Sequence, residues 1–514
     1  MEALSVFWQI SRYAAQALLF LLLASGSYNL LLHPLRKYPG PFLAKITDGY
    51  NAFAAVRKRN HLVAYQNFQR YGPVVRHAPN RLLFNTVTAV HDIYLNPRVT
   101  KGQAYRNSQL RAKFPSVLNA LDRDQHRRKR KYIAQPISER FMQKFEPTMQ
   151  TEIDIFLQKI HTACKTGQIM NLSEHCQRLS FDIVGQLGFG YPFRTQMDNK
   201  YRYISRIMEA MSWRISTYMQ WPLLRMIETV MLLLNVSEFI DFDNAIKTMI
   251  KARTEKKKDA HFDMWSVLAD HIGQGEGELL PGEVWPEAIL FIIAGGSTTS
   301  TAMSSVFFYL SRNRRCYEAL VTEIRSTFSE FSAIKASNGL HKCKYLRACI
   351  DESLRMAPAS LTSLWREQDP KDESGKPLIV DGNVIPRGTQ VAISMYSLFH
   401  NDHYFPDPFE FKPERWLDTA NQTEQEKASQ ATMRKAFVPF LIGDRACAGK
   451  AMGYQEVSLV IAQTLWLFDF EVAPGKAGEL GSRSERPDEY DLKDIFIASH
   501  QGPNLIFRER NVER

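Results

Sequence analysis

The first apolar segment of the chain is a run of twenty residues without charge, from Tyr13 to Leu32. Twenty residues of α-helix extend about 30 Å, which is the thickness of the hydrocarbon core of a bilayer. Three basic residues follow the run between positions 36 and 45, whereas Arg12 alone precedes it. Under the positive-inside rule, this pattern predicts a transmembrane anchor over residues 13–32, with a short lumenal N-terminus at 1–12 and a cytosolic body.

A cleavable signal peptide is the alternative interpretation of this segment, because its apolar centre is short and small residues follow it. Three leucines at positions 30–32 continue the apolar run beyond those small residues, which favours a retained anchor. Residues 33–45 contain three prolines and a glycine, so we expect a stiff, non-helical, proline-rich hinge there. Residues 46–514 then remain for one large domain.

Helical periodicity dominates the first half of that domain. Between Asn60 and Ser311, apolar residues recur every three or four positions, with few alternating stretches. The segment from Trp285 to Leu310 is apolar on most sides, which predicts a helix in the core.

Two glycines at the middle of this predicted helix, Gly295 and Gly296, cost roughly 1 kcal/mol each relative to alanine. Such a cost indicates a close approach to the backbone, either by a flat group or by a neighbouring helix. The hydroxyl of Thr298 can donate to the carbonyl of Ala294, four residues earlier, and so bend the helix.

Strand signals are short and few. A strand is expected at the start of residues 82–94, and PLIVDGNVIP at 377–386 predicts a hairpin that turns at Asp381 and Gly382. The sequence therefore predicts a mainly α fold with small β-sheets.

Basic residues outnumber acidic ones, 65 to 54, which gives a net charge of +11. This excess suits nucleic acid, an anionic membrane face or an acidic protein partner. Since no basic motif interleaved with aromatic residues and no metal-finger spacing occurs, we expect no nucleic-acid partner. A basic run, HRRKRK at 126–131, is interpreted as a solvated helix face. Six scattered cysteines do not form the pattern of a disulfide framework.

One of the six cysteines, Cys447, lies in a loop between Gly443 and Gly449, just before an apolar helical pattern. Backbone N–H groups and the dipole at a helix start stabilise a thiolate, so we expect an ionised sulfur here. The flanking glycines leave the sulfur unobstructed, and Arg445 adds a fixed cation. This arrangement is typical of a loop that offers one thiolate to a soft metal.

The loop resembles the signature FxxGxRxCxG of the cytochrome P-450 family at every fixed position. The matching residues are Phe440, Gly443, Arg445, Cys447 and Gly449. Three further motifs follow the family's order: AGGSTT at 294–299, ExxR in Glu352 and Arg355, and PERW at 413–416. The resemblance extends over roughly residues 46 to 510, and the hinge and basic run are most similar to those of membrane-bound filamentous-fungal members.

The resemblance implies the cytochrome P-450 fold, with a haem-thiolate catalytic domain at 46–514 that holds heme b (iron protoporphyrin IX) through the thiolate of Cys447. The other residues that it assigns to the cofactor are Phe440, Gly443, Arg445 and Gly449 in the loop, and Arg130, His126 and Arg366 for the propionates. His126 stands where the family often has tryptophan, and its imidazole N–H preserves a donor. A buried charge network that supports the loop is implied for Glu352, Arg355 and Arg415.

The implied activity is monooxygenation, in which one atom of dioxygen enters an organic substrate and a separate NADPH–cytochrome reductase delivers two electrons from NADPH. A pocket lined by residues such as Phe291 and Ile292 predicts a mostly apolar small-molecule substrate. The fungal resemblance implies a tailoring step in secondary-metabolite biosynthesis, at the lipid of the endoplasmic reticulum membrane and with a cytosolic catalytic domain. The alternatives are a dioxygen-independent haem-thiolate isomerase or dehydratase, and a non-catalytic haem-binding protein. A membrane-anchored hydrolase has no supporting nucleophile elbow.

The basic run has a second interpretation once the resemblance is taken into account. In this family the cysteine side of the haem faces the reductase, whose docking surface is acidic. We therefore expect Arg127, Arg128 and Lys129 to contribute to reductase binding.

Thr298 and Ser297 are the implied catalytic residues on the oxygen side of the haem. Most family members carry Asp or Glu immediately before this threonine, whereas this chain has Ser297. Serine passes a proton through its hydroxyl or holds a water, but it cannot carry negative charge. Either Ser297 and Thr298 hold a water chain that relays protons, or the reaction needs less proton delivery, as a rearrangement does. The retained threonine favours the water chain.

Overall fold

Helices form most of the computed structural model, which describes residues 2–109, 113–228, 230, 236–273, 275, 277–336, 339–418 and 422–510. The α-helices, numbered in chain order, are α1 (Glu2–Ser27), α2 (Phe42–Ile46), α3 (Gly49–Val56), α4 (Asn60–Tyr71), α5 (Val87–Tyr94), α6 (Arg123–Ile133), α7 (Glu139–Thr166), α8 (Leu172–Phe189), α9 (Tyr203–Gln220), α10 (Val236–Thr254), α11 (Met264–Leu268), α12 (Val284–Arg312), α13 (Arg314–Thr327), α14 (Lys344–Met356), α15 (Met395–Phe399), α16 (Glu424–Ala436) and α17 (Lys450–Leu467). The strands are β1 (Val74–Ala78), β2 (Arg81–Phe84), β3 (Val99–Lys101), β4 (Met170–Asn171), β5 (Arg366–Gln368), β6 (Leu378–Val380), β7 (Asn383–Ile385), β8 (Gln390–Ile393), β9 (Phe468–Val472), β10 (Ser482–Arg483), β11 (Arg486–Tyr490) and β12 (Asn504–Glu509). The predicted mainly α fold with small sheets is confirmed.

The largest sheet has five strands in the order β1-β2-β8-β5-β3. β2 and β8 run parallel, and the other neighbouring pairs are antiparallel. A three-stranded sheet, β4-β12-β9, and the hairpins β6-β7 and β10-β11 complete the strands. The pairing of β3 with β5 positions the site described below, because it sets Lys101 opposite Arg366. Like charges directly opposite each other destabilise a strand pair, so a nearby anion would stabilise this register.

The strands β6 and β7 form the predicted hairpin. Val380 pairs with Asn383 across a two-residue turn, in which Asp381 and Gly382 have φ values of 49° and 71°. Positive φ at both central residues is the mark of a type I′ turn, which matches the right-handed twist of the strands.

The predicted core helix is α12, whose second half is buried without interruption from Thr299 to Leu310. At its centre, a Cβ added to Gly295 would lie 2.5 Å from Cγ2 of Val184 on α8, and one on Gly296 would lie 3.4 Å from Phe181. The sequence left open whether a flat group or a neighbouring helix approaches the backbone at these glycines. The structure shows the approach of a neighbouring helix, α8.

The basic run lies on α6 and binds the start of α12. Lys129 is 0% exposed, and its ammonium group lies 2.9 Å from Glu283 and 3.0 Å from Glu287. Arg128 also donates to Glu283, at 2.8 Å. The predicted solvated face is wrong for Lys129, and the same contacts remove Lys129 from a docking surface. Arg127, whose side chain is 77% exposed, stays available. The acidic partners lie far along the chain, so local charge patterning gave no sign of them.

The N-terminal apolar segment forms α1 and a π-helical turn, Tyr28–Leu32, that continues it. The helix begins at Glu2, so the described part of the predicted tail, residues 2–12, is helical. Two described stretches are long and apolar enough to cross a membrane, Leu4–Leu32 and Pro281–Arg312, and the second is the buried core helix. The α1 segment is therefore a candidate membrane anchor, and its large apolar side chains are exposed.

The predicted hinge packs against the domain. Leu35 is fully buried in a short 3₁₀ helix, Pro34–Lys37, which forms because proline is tolerated in a first helical turn. The backbone N–H of Arg76 on β1 donates to Pro39 at 2.7 Å, and its guanidinium donates to the carbonyl of Asn29 at 2.8 Å. The segment is not free of helix as expected, because it contains this 3₁₀ helix and the start of α2, and it is no free linker.

Removal of residues 2–27 should release the protein from membranes and preserve its fold, because the packed segment from Asn29 onward is retained. Sedimentation after alkaline extraction, with circular dichroism of the soluble fraction, measures both effects. A matched deletion of residues 2–37 also removes Leu35, whose burial contributes about 2 kcal/mol, and should lower stability as well. Recovery of the intact protein as a shortened, secreted form would contradict the anchor.

Candidate active site

The loop that carries Cys447 connects α16 to α17 and is held by its own backbone. The N–H of Cys447 donates to the carbonyl of Phe440 at 2.8 Å, and the N–H of Ala446 donates to that of Gly443 at 3.1 Å. Gly443 has φ 83°, and a Cβ there would overlap the carbonyl oxygen of Tyr94 at the end of α5. Glycine is therefore required at this position, both by conformation and by space.

Gly449 has a different place in the loop. It caps the N-terminus of α17 with φ −85°, which any residue adopts, and a Cβ there would lie at an ordinary 3.9 Å from the sulfur of Cys447. The ring of Phe440 packs on Tyr454 of α17, with 5.1 Å between centroids, and so joins the start of the loop to the helix.

Cys447 keeps accessible surface in the loop although protein atoms surround its thiol. Burial raises the pKa of this thiol, and the N–H of Gly449 and the guanidinium of Arg130 lower it without compensating. In the protein alone, burial of the sulfur therefore opposes its ionisation more than the start of α17 at Lys450 favours it. A bound metal cation would supply the missing charge, since a coordinating thiol is deprotonated.

The protein offers this sulfur to a metal without a full set of ligands. In the part of the chain that the structure describes, no group of three or more His, Cys, Asp or Glu side chains could hold a metal ion. A metal at Cys447 must therefore bring its other ligands with it, as a haem iron does.

A group of basic side chains lies beside the thiol, which we name the basic cluster. Its members are Lys101, His126, Arg130, Arg366 and Arg445. They come from β3, α6, β5 and the cysteine loop, so the fold brings together all four basic residues expected to bind propionates. Lys101 is an addition that the sequence analysis missed, because it lies in a three-residue strand without a motif. Only its strand pairing with Arg366 reveals it.

Three members of the basic cluster donate to neutral oxygens. Lys101 donates to the carbonyls of Val117 and Leu118 at 2.7 and 2.5 Å. Arg445 donates to Ala120 at 2.9 Å, and Arg366 to the carbonyl of its neighbour Trp365 at 3.0 Å. Among the described residues, no carboxylate lies within ion-pair distance of any member of the cluster.

Burial and mutual repulsion shift the pKa values of two members of the cluster. Burial and the charge of Arg366 lower the pKa of Arg445 to about 10. Burial, followed by Lys101 and Arg445, lowers the pKa of His126 to about 2, so this imidazole is neutral and keeps one N–H donor. Buried cations of this kind persist when an anion pairs with them. The two carboxylates of a haem fit this donor set.

A second group of buried charges is complete within the protein. Glu352 accepts hydrogen bonds from Arg355 at 2.8 and 2.9 Å, from Arg415 at 3.0 Å, and from the indole N–H of Trp416 at 3.0 Å. Burial alone would raise the pKa of Glu352, but Arg355 and Arg415 hold it below its usual value. The ring of Trp416 lies 4.5 Å from that of Phe437, three residues before the loop begins. This contact connects the network to the cysteine loop.

The middle of α12 carries the hydroxyl groups of Ser297 and Thr298 and one exposed small residue, Ala294. Thr298 donates to the carbonyl of Ala294 at 2.6 Å, the hydrogen bond expected from the sequence. Ala294 is exposed within a core helix, so it borders interior space, and Phe291 is partly exposed. Ile292 is completely buried, and its predicted place in a pocket wall is therefore wrong, because it points into the core. Within the described chain the hydroxyl of Ser297 has no protein partner.

Comparison with known proteins agrees with this geometry. Residues 39–484 match the family model described as cytochrome P-450. The chain is 33% identical over 491 residues to the cytochrome P-450 monooxygenase poxM of Penicillium oxalicum, covering 94% of this chain and 91% of that protein. It is 30% identical to the cytochrome P-450 monooxygenase AKT7 of Alternaria alternata, covering 94% of each chain. It is also 30% identical to the cytochrome P-450 monooxygenase cpaH of Aspergillus oryzae, covering 88% of this chain and 86% of that protein.

The Gly443→Ala variant should lose most of its bound haem, because the added methyl group forces the loop away from Tyr94. Gly388 is the matched control, since its φ is 79° but a Cβ there meets nothing within 4 Å. Gly388→Ala should therefore cost only the left-handed conformation, about 1–2 kcal/mol, and keep its haem. Haem content per polypeptide and urea unfolding measure these effects. Full haem content in Gly443→Ala would show that the loop can yield at this contact.

Proposed function

The chain belongs to the cytochrome P-450 family, and on that premise we propose that Cys447 binds the haem iron of a monooxygenase that oxidises a mostly apolar small molecule. Family membership makes the protein a haem-thiolate monooxygenase that uses dioxygen and receives electrons from a redox partner. The assignment of Cys447 rests on one observation: this exposed cysteine lies beside a basic cluster that, within the described ranges, has no carboxylate in ion-pair contact.

Each part of the site has a role toward the cofactor. Cys447 would hold the iron, and the basic cluster would bind the propionates, with charge from Lys101, Arg130, Arg366 and Arg445 and a neutral donor from His126. When bound, the haem supplies the reduction of dioxygen and the transfer of one oxygen atom, which thiolate ligation favours. The network around Glu352 would keep the loop in register with the domain.

The protein's own contribution on the oxygen side is to move protons and position the substrate. Thr298 donates its hydroxyl hydrogen to Ala294, so its oxygen remains available as an acceptor. Ser297 has an unpartnered hydroxyl within the described chain, which suits a water that passes protons inward. The partly exposed ring of Phe291 supports an apolar substrate.

The cellular setting follows from the anchor and from the relatives. We propose that α1 holds the protein in the lipid of the endoplasmic reticulum membrane with its catalytic domain in the cytosol, where an NADPH–cytochrome reductase delivers the electrons. The exposed Arg127 is the part of the basic run that would meet an acidic reductase surface. The relatives from Penicillium, Alternaria and Aspergillus support a fungal setting, and a tailoring step in secondary metabolism is our proposal for its pathway.

Cys447→Ala should abolish both substrate oxidation and the thiolate-type absorption spectrum of the reduced carbon monoxide complex. Cys164→Ala provides the control, because this cysteine is also partly exposed but lies on α7. It should keep the wild-type spectrum. Retention of the thiolate-type spectrum by Cys447→Ala would mean that another residue holds the iron. Product formation by the wild type without dioxygen would instead identify an isomerase or dehydratase.

Ser297→Ala should slow oxygenation by about an order of magnitude and divert reducing equivalents to peroxide, because a proton donor is lost. Ser297→Asp should stay active, since a carboxylate relays protons as well. Ser305→Ala is the control on the same helix, because its hydroxyl is bonded to the carbonyl of Ala302 at 2.8 Å. The measurement is product formed per NADPH consumed. An unchanged ratio in Ser297→Ala would rule out the relay.

A further inference from the structure

A polar cavity of about 350 Å³ lies beside the middle of α12. Ser297 and Ser300 of α12 line one side of it, and Glu209 and Ser212 of α9 line another. The segment 495–501, after β11, forms part of the remaining wall. Helix α12 therefore shares a cavity with room for several waters with a carboxylate from a different helix.

We propose that Glu209 is the proton source for Ser297, through water in this cavity, and replaces the carboxylate that this chain lacks before Thr298. The proposal rests on the relay role of Ser297 given above and extends it by naming the group that supplies the relay. Glu209 is a positioning and proton-supplying residue, since it does not touch the reacting atoms.

The contacts of Glu209 leave its carboxylate in reach of both bulk solvent and the cavity. Its side chain is 44% exposed, so it exchanges protons with bulk solvent. Lys58 and Ser499 both donate to the same oxygen, Oε1, at 3.1 and 2.9 Å. Within the described ranges the other oxygen, Oε2, has no protein partner. One oxygen thus fixes the side chain in place, and the other is available to a water.

The hydroxyls on α12 show why Ser297 receives the proton. Ser300 and Thr301 each donate to the carbonyl of Ser297 at 2.9 Å, so their hydrogens are already engaged. The hydroxyl of Ser297 lines the cavity without a protein partner in the described chain. A hydroxyl in this position donates one hydrogen bond while it accepts another, which a relay requires.

The other titratable groups that line the cavity are less suited to this role. Glu174 has both oxygens engaged, by Arg178 at 2.6 Å and by Asn171 at 3.3 Å. His500 is neutral at physiological pH, because burial lowers its pKa to about 4. Arg206 does not release its proton. These positions leave Glu209 as the donor.

The relay moves only protons, so it needs no oxidant or reductant. The carboxylate of Glu209 takes up a proton from solvent and gives it to a cavity water, which passes another proton to the hydroxyl oxygen of Ser297. Ser297 releases its original proton toward the oxygen side of the haem. Glu209 is then a carboxylate again, so the relay returns to its starting state.

Glu209→Gln should lower product per NADPH consumed about tenfold, and Glu209→Asp should restore most of it. Glu174→Gln, which changes the other carboxylate of the cavity, should behave as wild type. A crystal structure of the haem-loaded wild type gives a readout independent of turnover. It should show ordered waters that join Oε2 of Glu209 to the hydroxyl of Ser297.

Four outcomes would overturn this inference. The waters could be absent, or Glu209→Gln could keep the wild-type ratio while Ser297→Ala loses it, in which case the Ser297 relay stands without Glu209. If Glu209→Gln and Glu209→Asp both lose substrate binding equally, the contact of Glu209 with Ser499 is structural only. A wild-type ratio in Ser297→Ala would instead remove the proposed relay itself.

Discussion

Buried positive charge with no carboxylate in ion-pair contact, among the residues that the structure describes, is the constraint on which the site depends. The basic cluster gathers residues from β3, α6, β5 and the cysteine loop, which lie between positions 101 and 445 of the chain. The β3–β5 register even places Lys101 directly opposite Arg366. Such an arrangement is stable when an anion binds between the cations, and a group that binds only the folded chain stabilises it by mass action. Bound cofactor would therefore contribute to the stability of the folded protein.

The charge network around Glu352 follows the opposite principle. There one carboxylate accepts from two guanidinium groups, an indole and a backbone N–H, so the charges are paired within the protein. Loss of one partner in a buried network of this kind costs about 3–5 kcal/mol. The network therefore holds the chain before the loop in place whether or not a ligand is bound, while the basic cluster is completed from outside.

Features set by short stretches of sequence could be predicted, and those set by distant contacts could not. The Asp381-Gly382 turn and the hydrogen bond from Thr298 to Ala294 depend on neighbouring residues, and both were found. The burial of Lys129 against Glu283 and Glu287 depends on partners on another helix. The pKa of the Cys447 thiol likewise depends on residues distant in sequence, because burial by the surrounding atoms is its main cause. The cysteine loop, the network and most of the basic cluster were located through family motifs, because physical periodicity alone does not mark them.

The crossing of α8 and α12 carries a further consequence for how this site can change. The side chain of Val184 fills the space that a side chain at position 295 would need, since a Cβ on Gly295 would lie 2.5 Å from Cγ2 of Val184. Their effects should therefore be non-additive, as is usual for residues in contact. A larger residue at 295 becomes acceptable only when 184 becomes smaller. Because Ala294, which is exposed within the helix, is adjacent to this contact, a paired change at 184 and 295 would alter the packing directly beside that open position.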